Sequence, residues 1–282
     1  MTETTPLSPI VRPGTGRWPV LLSVPHAGTS YPPALLADSR HGRRALEALE
    51  DPLVDRLIWR AAALGIGAVI ARAPRGLIDC NRGPLEMDAR MIDAEPGHDP
   101  GPRARGGLGL VPTRTPRHGE LWRRPLSRSE LQRRKNSAWT PFHDALAEQL
   151  RLLHRRHGEV LLLDVHSMPA RAAGLPRLVI GDRHGRSAAA WLGDLVRRTA
   201  EGARVSTAFN DPYAGGYVVE RHGRPRTGVH ALQLEFDRGC YLAADGRSPG
   251  AGFDRVARLL EQMARDAGEA LLDRQASLEA AE

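Results

Sequence analysis

The sequence predicts an α/β protein, a sheet covered by helices, on three observations. Apolar runs of strand length alternate with stretches of helical periodicity from end to end, several of those runs stop abruptly at polar residues, and no internal repeat or heptad seam competes with the alternation. With 282 residues, 41% of them hydrophobic and 26% charged, the chain has enough apolar material for a sizeable core.

The elements follow in order. Residues 1–18 read as a partly ordered lead-in, without the basic segment and apolar core of a secretory signal. "WPVLLSVPHAG" gives a first strand, closed by Pro25, His26 and a glycine turn. "RRALEALEDPLVDRLIWRAAALG" carries helical spacing, and Pro52 suits a first helical turn, which places a helix start at or near Asp51. "IGAVIARA" and "GLIDCN" read as short strands or one interrupted strand.

From about residue 86 to 125 the periodicity is lost among Gly, Pro and Arg, the signature of a long irregular excursion. A helix through "RSELQRRKNSAWTPFHDALAEQLRLLHRRHG", bent at Pro141, feeds the strand "VLLLDVHSMP". "RLVIGD" is a further strand, "RSAAAWLGDLVRRTA" a helix, "GVHALQLEF" a strong strand and "FDRVARLLEQMARDAGEALLDRQ" a terminal helix. One catalytic domain over residues 19–282 is expected.

The net charge of +7 invites a nucleic-acid partner, because clustered cations gain affinity by releasing counterions. The arginines are instead scattered, and Lys135 is the only lysine, which indicates a coding bias toward Arg, so no nucleic acid is expected. No apolar run is long enough for a membrane span, and no membrane partner is expected. Cys80 and Cys240 are far apart without metal-knuckle or redox spacing, which fits a reduced, cytoplasmic protein. The oligomeric state is left open.

Three strand-like runs end in polar groups that can share one rim: His26 after "LLSV", His166 after "VLLLDV" and Glu235 within "ALQLEF". The carboxyl end of a sheet is where ligands bind in open α/β folds. Two imidazoles, a carboxylate such as Asp51 and a water make the ligand set of a catalytic zinc site, and a neighbouring Glu can take the proton of that water. Asp164, two residues before His166, or a backbone carbonyl would fix its tautomer.

The blocks "SVPHAGTSYP", "DPLVDRL", "RAPRGLIDCNRGP", "GLGLVP", "LLLDVHSMP", "VIGDRHG", "NDPYAGGYVVERHGRP" and "GVHALQLEFDRGCYL" resemble, in order, the successive motifs of the N-formylglutamate amidohydrolase family. The resemblance runs from about Pro19 to Leu242. It implies a mixed, largely parallel sheet between helices, as in zinc carboxypeptidase-like (phosphorylase/hydrolase-like) architectures.

It further implies one zinc ion, Zn(2+), on His26, Asp51 and His166. Asp55, four residues on and on the same helical face, is the alternative carboxylate or a supporting group. Glu235 falls on the general base, Asn81 and Arg82 on the pair that holds a substrate carboxylate, and Tyr213 in "NDPYAGGY" on a substrate contact. The implied reaction is hydrolysis of the amide of an N-acylated acidic amino acid, with N-formyl-L-glutamate as the namesake small-molecule substrate and histidine catabolism as its setting. The alternatives are a zinc peptidase or peptidoglycan amidase on another carboxylate-bearing amide, and a non-catalytic relative that binds a small molecule or RNA.

Overall fold

A computed structural model describes residues 7–88, 91 and 100–280. Its strands are β1 (Ile10–Arg12), β2 (Val20–Val24), β3 (Gly67–Ile70), β4 (Arg114–Thr115), β5 (Gly119–Glu120), β6 (Val160–Met168), β7 (Leu178–Gly181), β8 (Thr207–Phe209) and β9 (Val229–Asp237). Its α-helices are α1 (Pro33–Asp38), α2 (Gly42–Glu47), α3 (Val54–Leu57), α4 (Trp59–Ala63), α5 (Gly101–Arg105), α6 (Arg128–Arg134), α7 (Thr140–His157), α8 (Ala190–Gly202), α9 (Tyr217–His222) and α10 (Phe253–Glu279). Seven strands form one sheet in the order β1-β3-β2-β6-β9-β7-β8, and β4 pairs with β5 in a separate antiparallel hairpin.

The sheet is mixed and mostly parallel: β2 runs parallel to β6, β6 to β9 and β7 to β8, while β7 lies antiparallel to β9. The centre follows from the sequence. "VLLLDVHSM" and "VHALQLEFD" are near-continuous apolar runs, the pattern of strands covered on both faces, and every residue of β6 is buried. Burying each leucine of Leu161–Leu163 stabilises the fold by about 1.5–3 kcal/mol relative to leaving it in water.

The chain divides into two compact units. One contains Val11–Val24, Asp51–Val69 and Ala145–Glu282, and so holds the sheet centre with α3, α4, α8, α9 and α10. There α10 packs on α8, α4, β2 and β6, and Gly268 lets it come close, since a Cβ at that position would lie 2.8 Å from the Trp18 ring. The other unit contains the chain up to Ile10, Pro25–Glu50 and Ile70–Asp144, with α1, α2, α5, the hairpin, α6 and the loop through Asn81 and Arg82. No helix among the described residues is long and apolar enough to cross a membrane.

Several boundaries differ from the sequence expectation. The lead-in contains an edge strand, β1. The helix expected from Asp51 begins at Val54, because Leu53 takes a left-handed conformation (φ 62°) that interrupts the right-handed path and leaves Asp51 in a turn. "GLIDCN" is not a strand: its polar side chains turn back onto their own backbone, with Asp79 accepting from the Asn81 N–H. Within the expected excursion lie α5 and the hairpin, with residues 89, 90 and 92–99 outside the described ones. A π-helical turn, Lys135–Trp139, separates α6 from α7, and Pro141, which cannot donate to the helix ladder, lies just beyond it in the first turn of α7. The short strand β8 gave no periodic signal, since three half-buried residues are too few for one.

Candidate active site

Strand register brings the first of the expected site residues together. In the parallel pair β6/β9, Asp164 lies opposite Gln233 and His166 opposite Glu235. Residues two apart on a strand share a face, so these four polar groups form one cluster at the carboxyl end of an otherwise apolar sheet. All four are buried. His166 is held from both sides, with its Nδ1 3.0 Å from Asp51 Oδ2 and its Nε2 2.9 Å from Asp164 Oδ2. Burial pushes the His166 imidazolium down, but the carboxylates of Asp164, Asp51 and Glu235 outweigh it and hold the group well above the usual histidine range. The position is thus an electrostatic well for a cation.

Asp51 owes its place to the segment that follows β9. Arg238, at the start of a single 3₁₀ turn, donates from Nη2 to Asp51 Oδ1 (2.9 Å), from Nε to Ser167 Oγ (3.1 Å) and from Nη2 to the Ser167 carbonyl (3.3 Å). Three residues further, the buried Tyr241 hydroxyl donates to the Pro52 carbonyl at 2.8 Å. One short segment therefore grips both the carboxylate and the backbone of the turn that carries it. Asp55, half-buried in α3, has its carboxyl raised chiefly by burial and stands outside this arrangement.

Tyr213 lies on the loop between β8 and α9 and is half-buried; burial pushes its phenol up, and the negative charges of Glu235 and Asp51 add to that. Glu235 accepts a 2.9 Å hydrogen bond from Gln233 Nε2.

A second set of the expected site residues lies on the loops after β2 and β3. The chain leaves β2 at Val24 and reaches His26 two residues later, so connectivity fixes the imidazole at the end of that strand. Its Nε2 lies 2.7 Å from Asp79 Oδ1. Asp79, wholly buried, also accepts from Arg75 Nε (2.8 Å) and the Asn81 N–H (2.8 Å). Burial works against its charged form, but Arg75, His26 and Arg82 hold the carboxyl well below the usual range. Gly28 permits this packing, because a Cβ there would fall 2.2 Å from the Ala73 carbonyl oxygen.

Asn81 and Arg82 are buried on the same loop. Arg82 donates from Nε to the Leu108 carbonyl and from Nη1 to the Asn81 carbonyl, each at 2.8 Å, and burial lowers its pKa to about 10. Its planar fork is thereby fixed in orientation, with Nη2 making no hydrogen bond among the described residues, an arrangement suited to a carboxylate.

His26, Asp51 and His166 form a buried group in which each residue offers one ligand atom and these atoms lie within 4.8 Å of one another. The donor set fits a metal ion. It comprises two imidazoles and one carboxylate, and each imidazole already engages a buried aspartate through Nε2, Asp79 for His26 and Asp164 for His166. Arg238 and Gln233, both bonded to carboxylates of this site, have no counterpart in the sequence reading. The signal available was position: an arginine three residues and a glutamine two residues from Glu235 at a polar strand end.

The chain is similar to known proteins over most of its length. Residues 18–242 match the family model of N-formylglutamate amidohydrolase. An N-formylglutamate deformylase of Pseudomonas aeruginosa is 30% identical over 267 residues, spanning 91% of this chain and 94% of that protein. The crystal structure of N-formylglutamate amidohydrolase from Ralstonia eutropha superposes with a TM-score of 0.86 at 29% identity, over 94% of this chain and 98% of that one. A gene product of Agrobacterium tumefaciens shares the fold at a TM-score of 0.67 and 20% identity, covering 96% and 98% of the two chains. The matched stretch runs through every strand-end block on which the site is built, and the chain belongs to the N-formylglutamate amidohydrolase family.

Proposed function

We propose that this chain is a zinc-dependent amidohydrolase that converts N-formyl-L-glutamate to L-glutamate and formate. The observation that carries the reading is the buried His26, Asp51 and His166 group, with Glu235 in register beside His166. Relatives named N-formylglutamate deformylase, matched over most of the chain, support the substrate.

In this reading His26, Asp51 and His166 hold the zinc, with Asp79 and Asp164 fixing the two imidazoles. Zinc bound there supplies Lewis acidity to the acyl carbonyl and to the attacking water. Glu235 takes a proton from that water on one carboxylate oxygen and returns it to the leaving amine as the C–N bond breaks, so that water is added across the amide. Arg82, held by Leu108 and Asn81, receives a substrate carboxylate through its fork, and Asn81 and Tyr213 complete the orientation of the substrate. Both cysteines are free thiols, which suits a cytoplasmic setting.

The test is formate release from N-formyl-L-glutamate, with N-acetyl and N-succinyl analogues alongside, before and after chelator treatment. Activity on the formyl substrate that is lost on chelation and restored by zinc is expected. A zinc-loaded protein that releases no formate, or activity indifferent to chelation, overturns the reading.

A further inference from the structure

We propose that Gln233 is a positioning residue that ties Glu235 to the Tyr213-bearing loop, so that the carboxylate is aligned for proton transfer when that loop is seated. The inference rests on Glu235 being the base, as in the proposed function.

A glutamine in the middle of a buried strand is costly unless its amide is satisfied, and the partners of the Gln233 amide include Gly216 and Glu235. The Gly216 N–H donates to Oε1 at 2.8 Å, and Nε2 donates to Glu235 Oε1 at 2.9 Å. The first bond dictates the second. A backbone N–H can only donate, so the amide oxygen must face Gly216 and the amide NH₂ must face Glu235. Register agrees, since Gln233 and Glu235 point to the same face of β9 as Asp164 and His166 do on β6.

The loop at the other end of the relay is held in place by backbone. Gly215 has φ 117°, and a Cβ there would meet Val219 Cγ2 at 2.7 Å. Arg183 N–H donates to the Ala214 carbonyl at 2.7 Å, and Gly181 of β7 lies so close that its Cβ would fall 2.8 Å from Ala214 C and Gly215 N. Tyr213 is three residues from Gly216 on this same loop, and its phenol is pushed up chiefly by burial, with the charge of Glu235 adding to it. Displacing the loop moves the Gly216 N–H, frees the Gln233 amide to rotate and removes the donor that pins one oxygen of Glu235. The residue acts on orientation, so its loss belongs in kcat rather than in substrate affinity.

The experiment is a double-mutant cycle on N-formyl-L-glutamate hydrolysis with the zinc-loaded enzyme, using Gln233→Met, Glu235→Gln and the pair. Gln233→Met keeps the volume and removes the hydrogen bonds to Gly216 and Glu235. It is expected to lower kcat about 10–100-fold, with KM within about 2-fold of wild type and full bound metal. In the Glu235→Gln background the same substitution should change turnover by less than about 2-fold, because a residue acting through Glu235 has nothing left to align. Gln233→Glu, which can still accept from Gly216 but in its ionised form cannot donate to Glu235, should reproduce the kcat loss and supplies the comparison where Gln233→Met fails to fold. A glutamine that merely packs predicts lowered thermal stability with unchanged kcat per folded molecule, or an equal loss in both backgrounds, and either result overturns the relay. Full activity in Glu235→Gln, or a zinc-loaded wild type without activity, overturns the base assignment and the relay with it.

Discussion

Asp51 is held by opposite charges on its two oxygens, His166 on Oδ2 and Arg238 on Oδ1. The Arg238 fork fixes the carboxylate with one oxygen committed to the guanidinium and the other to the buried group, and Ser167 fixes the arginine in turn. Groups that orient metal ligands in this way typically contribute about 10–100-fold in metal affinity. Arg238→Met is therefore expected to weaken zinc about 10–100-fold in competition with a chromogenic chelator. Arg238→Lys should fall between, since a point charge keeps the attraction but loses the fork. Unchanged zinc affinity in Arg238→Met would show that the arginine plays no part in holding the ligand. At this scale the sequence was legible where chemistry and position coincide. His26, His166 and Glu235 interrupt apolar runs at strand ends, and a polar side chain in such a place requires a reason. Arg238 reaches Asp51 and Ser167, distant in sequence, and the orientation of the Gln233 amide is decided by a loop, so position beside Glu235 was the only signal for either.

At the scale of elements, β2, β6 and β9 were legible because strands buried on both faces leave an uninterrupted apolar record. The segments that carry chemistry were read less well, for the same physical reason in each case. Around Asp51 a left-handed Leu53 replaces the expected helical turn, and around Asp79 side-chain hydrogen bonds replace the expected strand. In both, tertiary partners outside the segment, Tyr241 and Arg238 for the first and His26 for the second, override local propensity. The turn after β2 depends on close backbone approach at Gly28, where the nearest neighbour of an added Cβ is a carbonyl oxygen rather than a flexible side chain. Gly28→Ala should lower stability by about 1–3 kcal/mol, read as a drop in Tm, and shift the His26 loop enough to reduce zinc occupancy. A Gly28→Ala protein with wild-type Tm and full zinc would show that this turn has slack the geometry denies.

Across the whole molecule, exposed and buried charge are handled differently among the described residues. Many arginines are spent one turn from an acidic residue on their own helices, as in Arg43–Glu47, Arg151–Glu148, Arg197–Glu201 and Arg258–Asp254. The buried ionisable groups include Asp164, His166 and Glu235 on β6 and β9, His26 just after β2, and Asp51 and Asp79 in turns. Arg238 and Arg75 balance Asp51 and Asp79 in part, and a bound cation would offset the desolvation cost of the other carboxylates. The central claim, that these groups assemble a metal site on His26, Asp51 and His166, is tested most directly by metal content per chain. Elemental analysis of wild type, His26→Ala, His166→Ala, Asp51→Asn and Asp55→Asn, each confirmed folded by circular dichroism, is expected to give close to one zinc in wild type and Asp55→Asn and a large loss in the other three. Full zinc in His166→Ala and His26→Ala, or a loss confined to Asp55→Asn, would contradict the account.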